Sequence, residues 1–177
     1  MLLSRFFLPT IPALIRTRVA ICCSFFIQGI TFATWCACIP DVKTRLGLDE
    51  ARLGTLLLML PIGQLLSMAP NGLLVARLGS RRMLVLAGFA YPAVLLALAF
   101  APTVPLLGAE LFLAGCVANL SNTAANTQGV MLERRYRRSI MSLFHGMWSC
   151  AGLVAVALAL LLGHLGVPTR AHVALVV

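Results

Sequence analysis

The sequence predicts an all-α integral membrane protein, a bundle of five transmembrane helices followed by the start of a sixth. Three observations carry that reading. The 177 residues are 60% hydrophobic and only 11% charged, whereas soluble domains are roughly 45–50% apolar and about 25% charged. The apolar residues gather in long runs, and about 20 such residues are enough to cross the hydrocarbon core of a bilayer. The charges lie between these runs, as expected when the segments in lipid must be apolar helices that satisfy their own backbones.

Taken in order, residues 1–18 read as a cytoplasmic lead segment, with Pro9 and Pro12 arguing against a helix through it. Arg5, Arg16 and Arg18 resemble the basic start of a signal peptide. The following run is too long for one, and bulky Ile21 stands where a cleavage site needs a small residue. The first span covers 19–39 and is expected to stop at Pro40-Asp41. Trp35 then lies one turn from its end, where an interfacial aromatic is favoured. The loop Pro40–Arg52 balances three basic against three acidic residues, and Asp49 is placed to cap the next helix. The second span, 53–75, contains Pro61 and Pro70, which membrane helices tolerate. A basic hinge, Gly72 to Arg82, follows. The third span, 83–101, closes on Pro102 to Pro105. The fourth, 106–132, closes on Glu133-Arg-Arg-Tyr-Arg-Arg138. The fifth is 140–162, and Gly163 to Arg170 forms the next loop. Residues 171–177 are apolar but too few to span, and read as the opening turns of a sixth helix that is cut short.

Alternating the loops across a bilayer puts ten lysines and arginines on the side of the N-terminus, the hinge and the Glu133–Arg138 loop, and four on the other. By the positive-inside rule the first side is cytoplasmic. The net charge of +9 therefore expresses topology, and nucleic acid is not an expected partner. The six cysteines fall in or beside apolar runs and read as small buried residues. Small residues recur every fourth position at Gly29, Ala33 and Ala37, at Ala93, Ala97 and Ala101, and at Ala151, Ala155, Ala159 and Gly163. Such rows let helices approach closely in lipid.

Polar residues at membrane depth are costly and are the first functional candidates. At about 100° per residue, Phe112, Gly115, Asn119, Asn122, Thr123 and Asn126 share a face of the fourth span. Ser24, Gln28, Thr31, Phe32 and Trp35 share one on the first. Gln64, Ser67 and Asn71 align on the second, and Ser142, His145, Trp148, Ser149 and Gly152 on the fifth. Facing inward, these stripes would line a path for a neutral polar, sugar-like solute. The substrate-path candidates are Gln28, Thr31, Trp35, Asn119, Asn122, Asn126, His145 and Trp148. Interhelical hydrogen bonding that merely holds the bundle together is the competing reading. Glu110, the one acid inside a span, is the candidate for carrying a coupling proton. Nothing resembles a soluble enzyme's site. There is no phosphate loop, no carboxylate pair, no metal-spaced cluster and no cofactor motif. Ser139 and Ser142 near His145 lack an acid to orient the histidine.

The hinge carries a resemblance. Gly72, Leu74, Val75, Arg77, Gly79, Arg81 and Leu84 fit the loop between helices two and three of the major facilitator superfamily, while Ala76 replaces the family's acid and Ser80 a usual basic residue. Residues 139–149, just after Glu133-Arg-Arg, resemble a bacterial branch of fucose-permease-like and inner-membrane facilitators. The resemblance implies a secondary transporter of two six-helix halves working by alternating access, with helices one and four lining the path. It makes Gly72, Arg77, Gly79, Arg81 and Arg82 a cytoplasmic gating loop whose latch lacks its acid. The expected partners are the lipid bilayer, a small-molecule substrate, and a missing C-terminal half or another subunit. The expected location is a bacterial inner membrane. Five spans and a stub amount to less than one half, so the chain is expected to be a fragment without transport of its own. The alternative is a membrane scaffold or half-transporter subunit.

Overall fold

A computed structural model of the chain describes residues 11–176. The helices run α1 (Ile11–Arg45), α2 (Glu50–Leu57), α3 (Met59–Leu78), α4 (Ser80–Phe100), α5 (Val104–Tyr136), α6 (Met141–His164) and α7 (Thr169–Val176). The described residues contain no strand. Five segments, α1, α2 with α3, α4, α5 and α6, are long and apolar enough to cross a membrane. This is the expected all-α bundle, with the short α7 after the five span-length segments.

The helix ends differ from the sequence expectation in instructive ways. The first helix begins within the expected lead segment, at Ile11. Pro12 sits in its first turn, where the missing N–H has no helical partner to lose; Pro9 lies outside the described residues. The helix also runs through Pro40 to Arg45. A proline deletes one backbone bond but need not end a helix whose flanks are held by packing. The true stop is Gly47, at φ 62°, with Leu48 N–H donating to Lys43 O at 3.0 Å, the wrap that closes many helix ends. At 35 residues α1 is roughly 52 Å long, well beyond the hydrocarbon thickness. Trp35 is buried within the bundle, only 3% exposed.

Asp49 caps α2 as expected, accepting from Arg52 N–H at 2.7 Å. The second span breaks at Leu58, because Pro61 cannot donate to Leu57 and its ring crowds that carbonyl. The hinge shrinks to a single residue. Gly79, at φ 89° and ψ 135°, is the whole connection between α3 and α4, and only glycine takes this conformation without strain. Gly72 lies inside α3, Arg77 closes that helix, and Arg81 and Arg82 fall in the first turn of α4. Glu133, Arg134 and Arg135 belong to α5, which ends at Arg137 in a left-handed conformation. The Glu133 carboxylate then reaches the start of α6, accepting from Ile140 N–H at 2.6 Å, Met141 N–H at 2.9 Å and Ser139 O–H at 3.0 Å. These are donors that a helix start leaves free.

Two zones of core mark the two ends of the bundle. One joins Trp35, Cys38, Val42 and Leu48 to Tyr91, Leu95, Leu98, Leu107, Leu111 and Val173. Arg45 reaches across it, donating to Ala99 O at 3.0 Å and also to Ala101 O, which caps the end of α4. The other joins Ile21 and Phe25 to Ala125, Leu132 and Phe144, beside Val75, Met83, Ala87 and Ala124. This second, basic end carries Arg16, Arg81 and Arg135. Phe89 and Leu153, 78% and 74% exposed, point outward, a cost in water and none in lipid.

Two helix seams meet closely. In the α3–α5 seam a Cβ on Gly63 would collide with Phe112 O, and one on Gly115 with Leu60 O. In the α1–α6 seam a Cβ on Gly29 would collide with Trp148 O and would stand 2.9 Å from Ala151 Cβ. Of the anticipated small-residue rows, Gly29, Ala151 and Ala155 are buried, whereas Ala37 and Ala93 are exposed.

Candidate functional site

Between α1, α3, α5 and α6 lies a cavity of ≈ 330 Å³, within the size range of small-molecule sites. Gln28 comes from α1, Gln64 from α3, Asn122 from α5, and His145 and Trp148 from α6, with Phe25, Phe32, Tyr91 and Ala118 completing the wall. Helical spacing explains the set. Gly29 lets α1 and α6 touch, so the aromatics a turn to either side stack across the seam. Phe25 meets His145 edge-on at 5.3 Å, and Phe32 lies over Trp148 at 6.2 Å. The same contact holds Gln28 beside them.

The wall holds no carboxylate, lysine or arginine and carries three amides, Gln28, Gln64 and Asn122. Gln28 Nε2 donates to Ser24 O at 3.2 Å, which leaves its oxygen to the cavity. Asn126 donates to Asn122 Oδ1 at 2.6 Å, which fixes that amide and leaves the Asn122 N–H groups without a partner among the described residues. Aromatic faces together with amide donors and acceptors match a neutral solute carrying hydroxyls on an apolar ring face.

Four of the eight substrate-path candidates, Gln28, Asn122, His145 and Trp148, meet here. Asn126 stands behind Asn122 as its partner. Thr31 and Trp35 do not reach the cavity. Thr31 is buried and donates to Ile27 O of its own helix at 2.6 Å, and Trp35 belongs to the core. Asn119 faces α3, where Asn71 Nδ2 donates to Asn119 Oδ1 at 3.1 Å and to Cys116 O at 2.9 Å. It thus does what the packing alternative describes. Glu110 lies near the start of α5 and lines neither this cavity nor the groove described next; its Oε2 is buried without a hydrogen-bond partner among the described residues. Beside the gating-loop residues, Ser80 makes an inter-helix bond, accepting from Gln128 Nε2 at 2.7 Å. The departure at that position thus has a structural use.

Two residues escaped the sequence reading. Tyr91 lines the cavity from α4, a helix with no polar stripe to draw notice; its only signal is an aromatic hydroxyl in mid-span. Glu133 looked like part of a charged loop. An acid shortly before the start of the next helix is the signal that could have found its capping role.

A second, larger space of ≈ 800 Å³ opens between α1, α4 and α5 and shares Gln28 and Tyr91 with the first. It runs to the basic end, where Arg16, Arg81 and Arg135 line it.

Residues 20–176 match the sequence profile of the Major Facilitator Superfamily. An uncharacterized MFS-type transporter of Yersinia pestis is 36% identical over 146 residues, covering 82% of this chain and 37% of the relative. An uncharacterized transporter of Sinorhizobium fredii is 34% identical over 133 residues, covering 75% and 35%. Membrane protein MosC of Rhizobium meliloti is 32% identical over 146 residues, covering 82% and 36%. The chain thus spans little more than a third of the length of these relatives. No solved structure matches.

Proposed function

Because the chain belongs to the major facilitator superfamily, we propose that it forms part of a secondary transporter that moves a small, neutral, polar solute by alternating access. The observation that carries the reading is the convergence of Gln28, Gln64, Asn122 and His145, with Phe32 and Trp148, from four helices on one cavity that no carboxylate, lysine or arginine lines. Amides and stacked aromatics recognise hydroxyls and a ring face, which makes a sugar or polyol the substrate class. The basic end faces the cytoplasm of a bacterium, by the loop charge bias. Gly79 and the arginines around it form the inner gating loop. A carboxylate at Glu110 is the group available to couple a proton. The relatives named as transporters support membrane transport in general; solute, coupling and orientation are this reading's own.

The test uses the two tryptophans. Trp148 lines the cavity and Trp35 is buried away from it. Sugars and polyols should change the fluorescence of the purified chain saturably. Trp148→Phe should abolish the change, while Trp35→Phe should keep it. Saturable responses only to organic acids or amines would overturn the solute class. The chain alone should give no uptake in proteoliposomes, and flux there would show that these helices suffice for transport.

A further inference from the structure

We infer that the last turns of α1, Pro40 to Arg45, form a latched strap. Pro40 is its hinge, and Arg45 is the catch that fastens it to the end of α4. The strap belongs to the end of the bundle opposite the basic one, and it does not rest on the transport reading.

The hinge follows from the backbone. Pro40 lies inside α1, where it has no N–H to offer Cys36 O and its ring crowds that carbonyl. Sharp bends of long helices gather at such positions. Beyond it only Asp41 to Arg45 remain helical before Gly47, at φ 62°, turns the chain. A helical end this short does not hold by itself, so its form depends on what it is fastened to.

The catch follows from the end of α4. That helix has no basic residue in its last turn, although a helix C-terminus favours a cation and leaves its last carbonyls free. Arg45 meets both needs from another helix. Its Nη2 donates to Ala99 O at 3.0 Å and its Nη1 to Ala101 O. Ala99 and Ala101 are buried, so water does not readily replace the guanidinium. Its Nε is buried without a partner among the described residues, and the polar attachment runs through the two carbonyls alone. Val42 and Leu48 belong to one apolar cluster with Leu98 and Ala101, but apolar contact is non-directional; the forked donor fixes where the strap sits. The strap's other charged contact, Lys43 with Glu50 at the start of α2, is weaker. The Glu50 side chain is 83% exposed, and exposed ion pairs contribute little. Fastened, the strap makes the ends of α1 and α4 one unit. Released, α1 stops at its proline.

Hydrogen exchange of the purified chain in detergent, read by mass spectrometry, tests this. Arg45→Met should speed exchange about tenfold or more across residues 41–48, the loss expected for hydrogen bonds from a charged group. Residues 20–36 of the same helix should be unchanged. Adding Pro40→Ala gives back the N–H for Cys36 O and should return most of the protection. Adding Asp41→Ala instead raises helix propensity at the neighbouring position without restoring a bond, and should return little. Lys43→Met, with the same loss of charge, should change exchange by less than about twofold. Unchanged exchange in Arg45→Met would remove the catch, and failure of Pro40→Ala to rescue it would remove the hinge; either overturns the strap. Faster exchange along the whole of α1 would mean general destabilisation and overturn it too. If Arg45→Met does not fold, Arg45→Lys keeps the charge and loses the fork. It should show the same local pattern at smaller amplitude, and a uniform or absent change there would overturn the strap.

Discussion

The two close seams of this bundle use similar residues to opposite ends. Between α3 and α5, glycines face backbone on both sides and the amides face each other, so Asn71 closes on Asn119 and Cys116 O. Between α1 and α6, one glycine makes the contact and aromatics stand on either side of it. Gln28, and Asn122 from neighbouring α5, are left with donors or acceptors that no group among the described residues takes up. An amide in a membrane helix is thus not a signature of a solute path. What decides is whether the opposite helix brings a partner or a ring. A paired amide holds helices together for a modest gain, and an unpaired one beside a cavity is available to a ligand.

The largest effect should come from forcing the closed seam apart. Gly115→Val should lower stability by about 3 kcal/mol or prevent folding, since the new side chain meets backbone that cannot yield; thermal unfolding in detergent reads it. Next, Asn71→Ala should cost about 1 kcal/mol, the usual worth of an interhelical bond in a membrane. It should leave the tryptophan response to solute intact. Glu133→Ala should act locally, freeing the first amides of α6. Hydrogen exchange should then rise at Ile140 and Met141, with Glu133→Gln recovering part of the protection and the α3–α5 seam unaffected. The smallest effect on stability belongs to Gln28→Ala and Asn122→Ala, each within about 0.5 kcal/mol, although both should weaken solute binding. A loss from Asn122→Ala as large as that from Asn71→Ala would erase the distinction between the seams.

The broad fold was legible because apolar runs of bilayer length have few alternatives, and Asp49 was legible because a cap is a local arrangement. Pro40 misled because proline weakens a helix locally, while packing on both sides decides whether the helix continues; the real stop, Gly47, needed its positive φ to be recognised. On the fourth span, helical spacing put Asn119 and Asn122 on one broad face, but the roughly 60° offset between them is enough to aim one at α3 and the other at the cavity. Only the position of α3, set by Gly63 and Gly115, separates them. Thr31 shows a further limit. Its hydroxyl satisfies its own helix at Ile27 O, so a polar residue in a stripe need not face anything polar.

Asn122 against Asn119 is therefore the decisive pair. Each is replaced singly by cysteine in a chain whose six native cysteines are serine, and the reaction with a water-soluble maleimide is timed in native membranes. The cavity account predicts that Asn122→Cys reacts about tenfold faster or more, since a thiol's rate follows its access to water. Equal rates at the two positions, or faster labelling at Asn119→Cys, would contradict it.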